Sequence, residues 1–280
     1  MNRRACVCFA TAGVFLLPVS VGARHPAPSG IRFSYVLPQT LTLHEPVCLV
    51  STISNETSDT AQIDLGQDRK GAYVLAVTQP SGVKIDLPPH SHEGISRLST
   101  LALEPGQFYT QTLVLNEWYA FGTPGRYHVQ VRLIHPALVG ASSTQVADPG
   151  FQADIEIQPR SAQRLEATLN ELTRRIEDSA SYEQAADAAT TLRYVTDPLA
   201  VPYLEKALQS GKAIEPIAIA GLEGIADGAA VAALISSLRS TNSDVSTLAQ
   251  AALRRIQQQT SEPTLKEQIR IPVQGAPRGS

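Results

Sequence analysis

The feature that most constrains this chain is an internal repeat in its C-terminal third. The stretch DPLAVPYLEKAL, residues 197–208, is followed 30 residues later by DGAAVAALISSL, residues 227–238, with Asp227 in the place of Asp197. The apolar residues of the two stretches fall in the same register. Self-similarity at a fixed period is typical of architectures in which each unit buries its apolar face only against its neighbours. The sequence therefore predicts stacked units.

Each unit has the pattern of two antiparallel helices. The buried face of the first helix recurs at i, i+4, i+7 and that of the second at i, i+3, i+7. The first set is Ala188, Leu192 and Val195, then Ala218, Leu222 and Ile225, then Ala249, Leu253 and Ile256; the second set is Val201, Leu204 and Leu208, then Val231, Leu234 and Leu238. The unit thus occurs twice, with a half unit following, and its alanines mark positions where helices cross closely.

Capping residues agree with these helix boundaries. Asp197 precedes a proline, which suits the start of a helix, and Asp227 takes the equivalent position in the next unit. Ser181 and Gln184 have the spacing of a capping box. Ahead of them, residues 161–178 carry a single apolar stripe and form a helix of their own.

Over residues 180–258 the pattern resembles HEAT repeats of the short kind first described in phycobilin lyases. The resemblance implies a short α-solenoid of HEAT-like helical hairpins over residues 161–258, with helix 161–178 as a leading cap. Residues 259–280 are predicted to be a flexible tail, because the last ten show no period.

The front half, residues 31–159, has a different period. Short runs rich in Val, Ile, Leu, Tyr and Thr alternate apolar and polar residues, and Pro and Gly turns separate them. Such strands at short, regular spacing predict an antiparallel β-sandwich. The whole chain is therefore expected to be all-β and then all-α.

Tyr127 gives a sharper indication, because it follows a Pro-Gly turn and opens an alternating strand. In immunoglobulin-like folds a tyrosine at this corner bonds its hydroxyl to the preceding backbone. The residues that carry the likeness are Glu45-Pro46-Val47, Asn55, Pro105-Gly106 and Pro124-Gly125-Arg126-Tyr127. On them, this half resembles bacterial immunoglobulin-like modules that include the BsuPI proteinase inhibitor family. The resemblance implies an immunoglobulin-like β-sandwich, and proteinase inhibition only weakly.

Residues 1–23 have the three parts of a secretory signal: a basic start, an apolar run and a small-residue exit at Val21-Gly22-Ala23. We expect cleavage there and an exported, periplasmic or extracellular protein, with residues 24–30 as a linker; an uncleaved anchor is the alternative. Cys48 is then the single cysteine of the mature chain, so it forms no internal disulfide and is expected to be a small buried residue. Asn55-Glu56-Thr57 has the pattern of a glycosylation acceptor.

Charge limits the classes of partner. The formal net charge is -3, with 23 Lys and Arg against 26 Asp and Glu, so no basic surface for nucleic acid or anionic membranes is expected. No nucleophile elbow, phosphate loop or zinc-protease helix signature occurs, and no cofactor is predicted. The expected partner is another protein, with no stable membrane insertion once the signal is removed.

One cluster has the chemistry of a metal site. His90, His92 and Glu93 lie in one loop, and two imidazoles with a carboxylate can hold a divalent ion if His44 or His128 converges on them. A polar loop between strands explains the same residues, and we do not predict a metal there.

Two surfaces are candidates for protein binding. Trp118, Tyr119 and Phe121 crowd together and can form an aromatic anchor at a sheet edge, or fill the core at a strand end. The residues that flank the buried positions of the second helices are Glu205, Lys206, Gln209, Ser236 and Arg239. They are expected to line the concave face of the solenoid, or to be a solvated helix face.

These observations favour a non-catalytic interaction or scaffold protein, without an enzymatic activity, that binds a partner through the sandwich edge, the concave helical face or both. Two alternatives from other classes remain: a proteinase inhibitor that uses a sandwich loop, and a metal-dependent hydrolase built on His90 and His92.

Overall fold

The computed structural model describes residues 30–67, 70–88 and 100–275, with side chains as far as residue 270. Within these residues, twelve strands precede seven α-helices, which confirms the predicted order of an all-β part and an all-α part. No helix in the described part of the chain has the length and hydropathy that a bilayer span requires.

The strands form three sheets. They are β1 (Ile31–Val36), β2 (Thr40–Thr42), β3 (Cys48–Asn55), β4 (Ala61–Asp64), β5 (Tyr73–Thr78), β6 (Lys84–Leu87), β7 (Thr100–Leu103), β8 (Phe108–Val114), β9 (Gly125–Leu133), β10 (Ala137–Val139), β11 (Thr144–Val146) and β12 (Phe151–Gln158). The strand orders are β1-β3-β8, β11-β10-β4-β7 and β2-β12-β9-β5-β6. All pairs are antiparallel except β2 with β12. One apolar core gathers the inward residues of all three sheets.

Two side chains fix the turns of this part. The Tyr127 hydroxyl donates to the carbonyl of Thr123 at 2.9 Å, which confirms the predicted tyrosine corner. Asn55 is fully buried, and its Nδ2 donates to the carbonyls of Asp59 and Leu103, both at 2.8 Å. Both amide hydrogens are thus bonded inside the core, and a glycan on Nδ2 would replace one of them and break that bond.

The helices form two contacting rows. They are α1 (Ala162–Glu177), α2 (Tyr182–Arg193), α3 (Val201–Leu208), α4 (Glu215–Ile225), α5 (Gly228–Ser237), α6 (Ser243–Gln259) and α7 (Pro263–Gly275). Helices α2, α4 and α6 contact one another in sequence, and so do α1, α3, α5 and α7. Leu192, Leu222 and Leu253 are each 0% exposed in the core between the rows.

The predicted caps are present. Ser181 accepts from the Gln184 amide at 3.3 Å, and the Gln184 side chain reaches back to the amide of Ala180 at 3.0 Å. Asp227 caps α5 by accepting from the Ala230 amide at 2.7 Å. These bonds satisfy amide groups that have no partner within the helix.

Helix α7 corrects the prediction of a flexible tail over residues 259–280. Leu265 and Ile269 are 6% and 0% exposed and complete the second row of helices. They follow Leu234 and Leu238 by 31 residues, so α6 and α7 make a third pair where only a half unit was expected. The prediction failed because the three residues between Leu265 and Ile269 are polar, so the apolar period of this helix is weak. Residues 276–280 lie outside the described part of the chain.

Gly221 marks the closest approach between helices. A Cβ at this position would lie 2.7 Å from Leu204 Cδ2 and 3.2 Å from the Cα of Arg193, whereas one at Gly224, on the same helix, meets nothing within 4 Å. Glycine is therefore required at the first position and is only a weak helix former at the second.

We expect Gly221→Ala and Gly224→Ala to change stability in opposite directions. The first overpacks the core and lowers the free energy of unfolding by roughly 1–3 kcal/mol, and the second raises it by up to about 1 kcal/mol through helix propensity. Urea unfolding followed by circular dichroism measures both. Equal effects of the two substitutions would contradict the close packing of α4 against α2 and α3.

Candidate functional site

The outer face of the five-stranded sheet carries polar side chains in rows across the strands. Cross-strand register places Lys84, Thr78, His128 and Asp154 in one row. The next row comprises Asp86, Ala76, Gln130 and Gln152, and Val74 lies opposite Arg132 in the row after that. The alternating residues of the same strands are buried on β5 and β9 and buried or half-buried on β6 and β12, so strand periodicity presents these side chains outward.

A groove of about 830 Å³ runs over this face. Its floor includes Val74 and Ala76, which are smaller than the polar residues around them. Gln130, Arg132 and Gln152 line it from the neighbouring strands. The small side chains of the floor and the larger ones around it enclose a space that can hold a ligand.

Most charges on this face are paired. Lys84 Nζ lies 3.3 Å from Asp86, and Arg126 Nε lies 3.9 Å from Glu156. His128 Nδ1 lies 2.8 Å from the Asp154 carboxylate, and its Nε2 lies 3.3 Å from Gln130 Nε2.

Arg132 is the exception. Within the described residues this exposed side chain has neither a hydrogen bond nor an ion pair. The aliphatic part of the Arg132 side chain passes Gly150. A Cβ added at Gly150 would lie 3.7 Å from the Cβ of Arg132. Among the groove residues that the structure describes, Arg132 therefore carries a positive charge that no described side chain neutralises.

The predicted aromatic anchor divides between core and surface. Phe121 is 6% exposed, and its ring packs edge-on against Tyr127 at 5.3 Å and Tyr119 at 5.0 Å, so for Phe121 the core alternative holds and not the binding surface. Trp118 and Tyr119 are half-buried against the same core. The Tyr119 hydroxyl accepts from Gln79 Nε2 at 2.7 Å. All three rings therefore contact the core, and parts of Trp118 and Tyr119 remain accessible.

The predicted helical surface is open to solvent. Lys206, Gln209, Ser236 and Arg239 are exposed and Glu205 is half-buried, all on α3 and α5 or directly after them. Lys206 Nζ lies 2.6 Å from Glu177 of α1, so one of the five already joins neighbouring helices.

The proposed metal ligands are not brought together in what the structure describes. His90, His92 and Glu93 lie outside the described residues. Inside those residues, no three His, Cys, Asp or Glu side chains converge on a possible ion. His44 and His128 have other partners, Thr196 and Asp154.

Two carboxylates with little solvent exposure, Glu45 and Asp197, lie where the β part meets the helical part, and we call them and their bonded partners the joint. Glu45 lies in the turn after β2. Glu45 Oε2 accepts from the Thr42 amide at 2.9 Å and from Arg164 Nε at 2.7 Å. Its Oε1 accepts from the hydroxyl of Thr168 at 3.1 Å. The Glu45 side chain is 11% exposed, so α1 supplies most of the groups that replace its water.

Asp197, whose side chain is 1% exposed, is the second centre of the joint. Arg160, between β12 and α1, forms a bidentate pair with its carboxylate, and the Leu199 amide donates to it at 3.0 Å. The hydrogen bonds from Arg160 hold the pKa of Asp197 below its ordinary value, against the opposing effect of burial. Nearby, His44 Nδ1 lies 2.9 Å from the Thr196 hydroxyl.

Cys48, the first residue of β3, lies beside Thr191 of α2. Burial raises the pKa of its thiol to about 11, although a hydrogen bond with Thr191 and the charge of Arg175 act in the other direction. A thiol with this pKa is protonated at neutral pH and is a poor nucleophile. Cys48 therefore belongs to the packing between β3 and α2.

Sequence reasoning missed the groove and the joint. The alternation of His128, Gln130 and Arg132 with buried valines was visible, but their neighbours on β5, β6 and β12 depend on strand order. The joint unites residues separated by 119 positions, as with Glu45 and Arg164, and no local pattern reports such a contact.

Comparisons with known proteins establish no family. No family model matches the chain, and no curated protein is similar to it. Among solved structures, a Listeria innocua β-glucosidase in complex with isofagomine has 17% identity and a TM-score of 0.28, covering 48% of this chain and 17% of that one. The present chain thus spans less than a fifth of the length of that enzyme.

Two other solved structures show similarly low scores. A CARDB domain from Pyrococcus furiosus in complex with di-metal ions has 10% identity and a TM-score of 0.25, covering 49% of this chain and 97% of the domain. Native α2-macroglobulin from Escherichia coli, from domain MG7 to the C-terminus, has 14% identity and a TM-score of 0.30, covering 89% of this chain and 47% of that one. Scores this low carry no argument about fold or function.

We expect Arg160→Gln to destabilise the protein at neutral pH and much less in acid. Because the pKa of Asp197 is lower in the folded protein than in the unfolded chain, its carboxylate stabilises the fold above pH about 4. That contribution is lost as the pH falls through the folded pKa. Urea unfolding of the wild type and the variant between pH 7 and pH 2 should show their difference shrink below pH about 4.

The matched control is Arg174→Gln, since Arg174 pairs only with the exposed Glu171 and Asp178. Exposed pairs contribute little to stability, so this variant should resemble the wild type at every pH. If Arg160→Gln had no effect at pH 7, or the same effect at pH 7 and pH 2, the ionic role of Asp197 in the joint would be wrong.

Proposed function

We propose that this chain is an exported, non-catalytic protein-binding scaffold, in which an immunoglobulin-like β-sandwich is joined rigidly to a short HEAT-like α-solenoid. Export rests on the composition of residues 1–23. The sandwich is supported by the shared core of the sheets and by the Tyr127 corner.

The solenoid is supported by contacts between neighbouring helix pairs. Besides the apolar core, polar contacts join neighbouring units at separations of 32 or 33 residues. They are Tyr203 with Asn170, Lys212 with the Ser179 carbonyl, and Arg255 with Glu223. Stacked units of this kind typically present an extended surface to a partner.

The buried joint is the observation that carries the proposal. Its carboxylates, Glu45 and Asp197, are 11% and 1% exposed and are held by arginines of the connecting segment and α1. Separating the β part from α1 would break the bonds that Arg164 and Thr168 donate to Glu45, whereas the Asp197 pair fixes the connecting segment to the helical part. The joint therefore holds the sheet face and the helical surface at a fixed distance, which is what a scaffold with two contact surfaces requires.

Lysine-directed crosslinking tests this function. The chain offers Lys84 on the sheet face, 53% exposed, and Lys206 on the helical surface, 58% exposed. Residues 24–280 would be incubated with an envelope extract of the source organism, crosslinked, and the attached peptides identified by mass spectrometry. We expect both lysines to crosslink to chains of one complex, because the joint presents them together.

The matched control is Lys206→Arg, which keeps the charge but removes the amine. It should lose the crosslinks at residue 206 and keep those at Lys84. Crosslinks from one part of the chain only, in repeated captures, would overturn the two-surface scaffold.

A further inference from the structure

We propose that the groove on the outer face of the five-stranded sheet binds an extended acidic peptide segment, with Arg132 holding a carboxylate of that segment. This inference rests on the proposed function and names the class of partner for one of its two surfaces.

Charge is the first argument. On this face Lys84 is paired with Asp86, Arg126 with Glu156 and His128 with Asp154, as described above. Arg132 lacks such a partner within the described residues, although it lines the groove. A guanidinium offers parallel N–H donors that match the two oxygens of a carboxylate.

The neighbouring side chains suit a polypeptide backbone. Gln130 and Gln152 line the groove on β9 and β12 and lie opposite each other in the register. Each amide both donates and accepts, as successive N–H and C=O groups of an extended chain require. The floor at Val74 and Ala76 is small and apolar, so it accommodates the methylene groups of a passing side chain.

The size of the groove agrees with a short segment. It runs from Lys84 on β6 to Gln152 on β12, across four strands. Three steps of roughly 4.8 Å between strands give about 14 Å, which an extended chain covers in about four residues. A segment lying across the strands thus fills the groove and brings one acidic side chain to Arg132.

Other polymers fit less well. Sugar rings favour open aromatic faces, but Phe151, the single aromatic residue of the groove lining, has its ring against Tyr35 at 5.6 Å. A polyanion such as nucleic acid needs several unneutralised cations, whereas Asp86 offsets Lys84 here. One carboxylate on a peptide matches the guanidinium of Arg132, which has no partner among the described residues.

Hexapeptide arrays test the assignment with defined probes. The peptides carry Glu, Gln or Lys at a fixed central position with random flanking residues. They are probed with residues 24–280 of this chain, labelled with a fluorescent dye. We expect binding in the order Glu, Gln, Lys, with Glu favoured over Gln by about two- to fivefold, as for an exposed ion pair. The preference should weaken as salt is raised, since the pair is exposed.

Two substitutions on one strand separate this site from general charge effects. Arg132→Glu should abolish the preference for Glu and favour Lys, whereas Arg126→Gln, on the same face but outside the groove, should leave the order unchanged. Thermal unfolding of both variants should match the wild type, because both arginines are exposed.

Three outcomes would overturn the groove assignment: equal binding of the Glu and Gln peptides, an Arg132→Glu variant that keeps the preference for Glu, or an equal loss in Arg126→Gln. If any of these occurred while Lys84 and Lys206 still crosslinked to one complex, the groove assignment would fail and the scaffold would stand. If the arrays succeeded and the crosslinks came from one part only, the scaffold would fail and the groove would stand.

Discussion

The burial of two carboxylates between the β part and the helices is the constraint on which the rest of the structure depends. Removing a carboxylate from water costs several kcal/mol unless charge and hydrogen bonds replace its hydration. Glu45 and Asp197 receive those replacements from Arg164 and Arg160, which follow the last strand directly. For Glu45 the β part supplies the carboxylate and α1 supplies Arg164 and Thr168, so this site is completed only when the two halves meet. Asp197 is completed by Arg160 of the connecting segment and by the Leu199 amide.

The constraint on the helical part is the burial of its apolar faces. Stacked helix pairs bury these faces only when both ends of the stack are covered. Helix α1 covers the first pair and itself contacts the β part through Thr168 and Arg164. At the other end α7 covers α5 and α6 with Leu265 and Ile269. The stack is therefore closed at one end by the joint and at the other by α7, whose exposed side chains up to residue 270 are mostly polar.

The sequence predicted those elements whose signals are local. The spacing of Leu192, Leu222 and Leu253 required one buried helical face per unit, and all three residues lie in the core. Tyr127 was predicted from a turn and a strand start that are adjacent in sequence. Helix α7 was missed because two buried residues among polar ones give a weak period, although their register with Leu234 and Leu238 was visible.

The candidate site could not be predicted in the same way, because it depends on strand order. Gln130 and Arg132 are ordinary outward residues of a strand until β5, β6 and β12 place Ala76, Asp86 and Gln152 beside them. Neither the small floor nor the unpaired charge is a property of one strand. The distinction between Arg132 and Arg126 likewise follows from Glu156, which lies opposite Arg126 on β12.

The five-stranded sheet also connects the groove to the joint. Its edge strand β2 is held by the helical part, since the Thr42 hydroxyl accepts from the Ser161 amide at 2.8 Å and Arg164 donates to the Thr40 carbonyl. The groove begins on β12, the next strand, and ends on β6 at the far edge. Hydrogen-bonded strands keep fixed spacing, so the far edge lies about 19 Å from β2, four steps of roughly 4.8 Å. A partner that occupies the groove therefore meets the helices at a distance set by backbone pairing, and only its own length decides whether it reaches them.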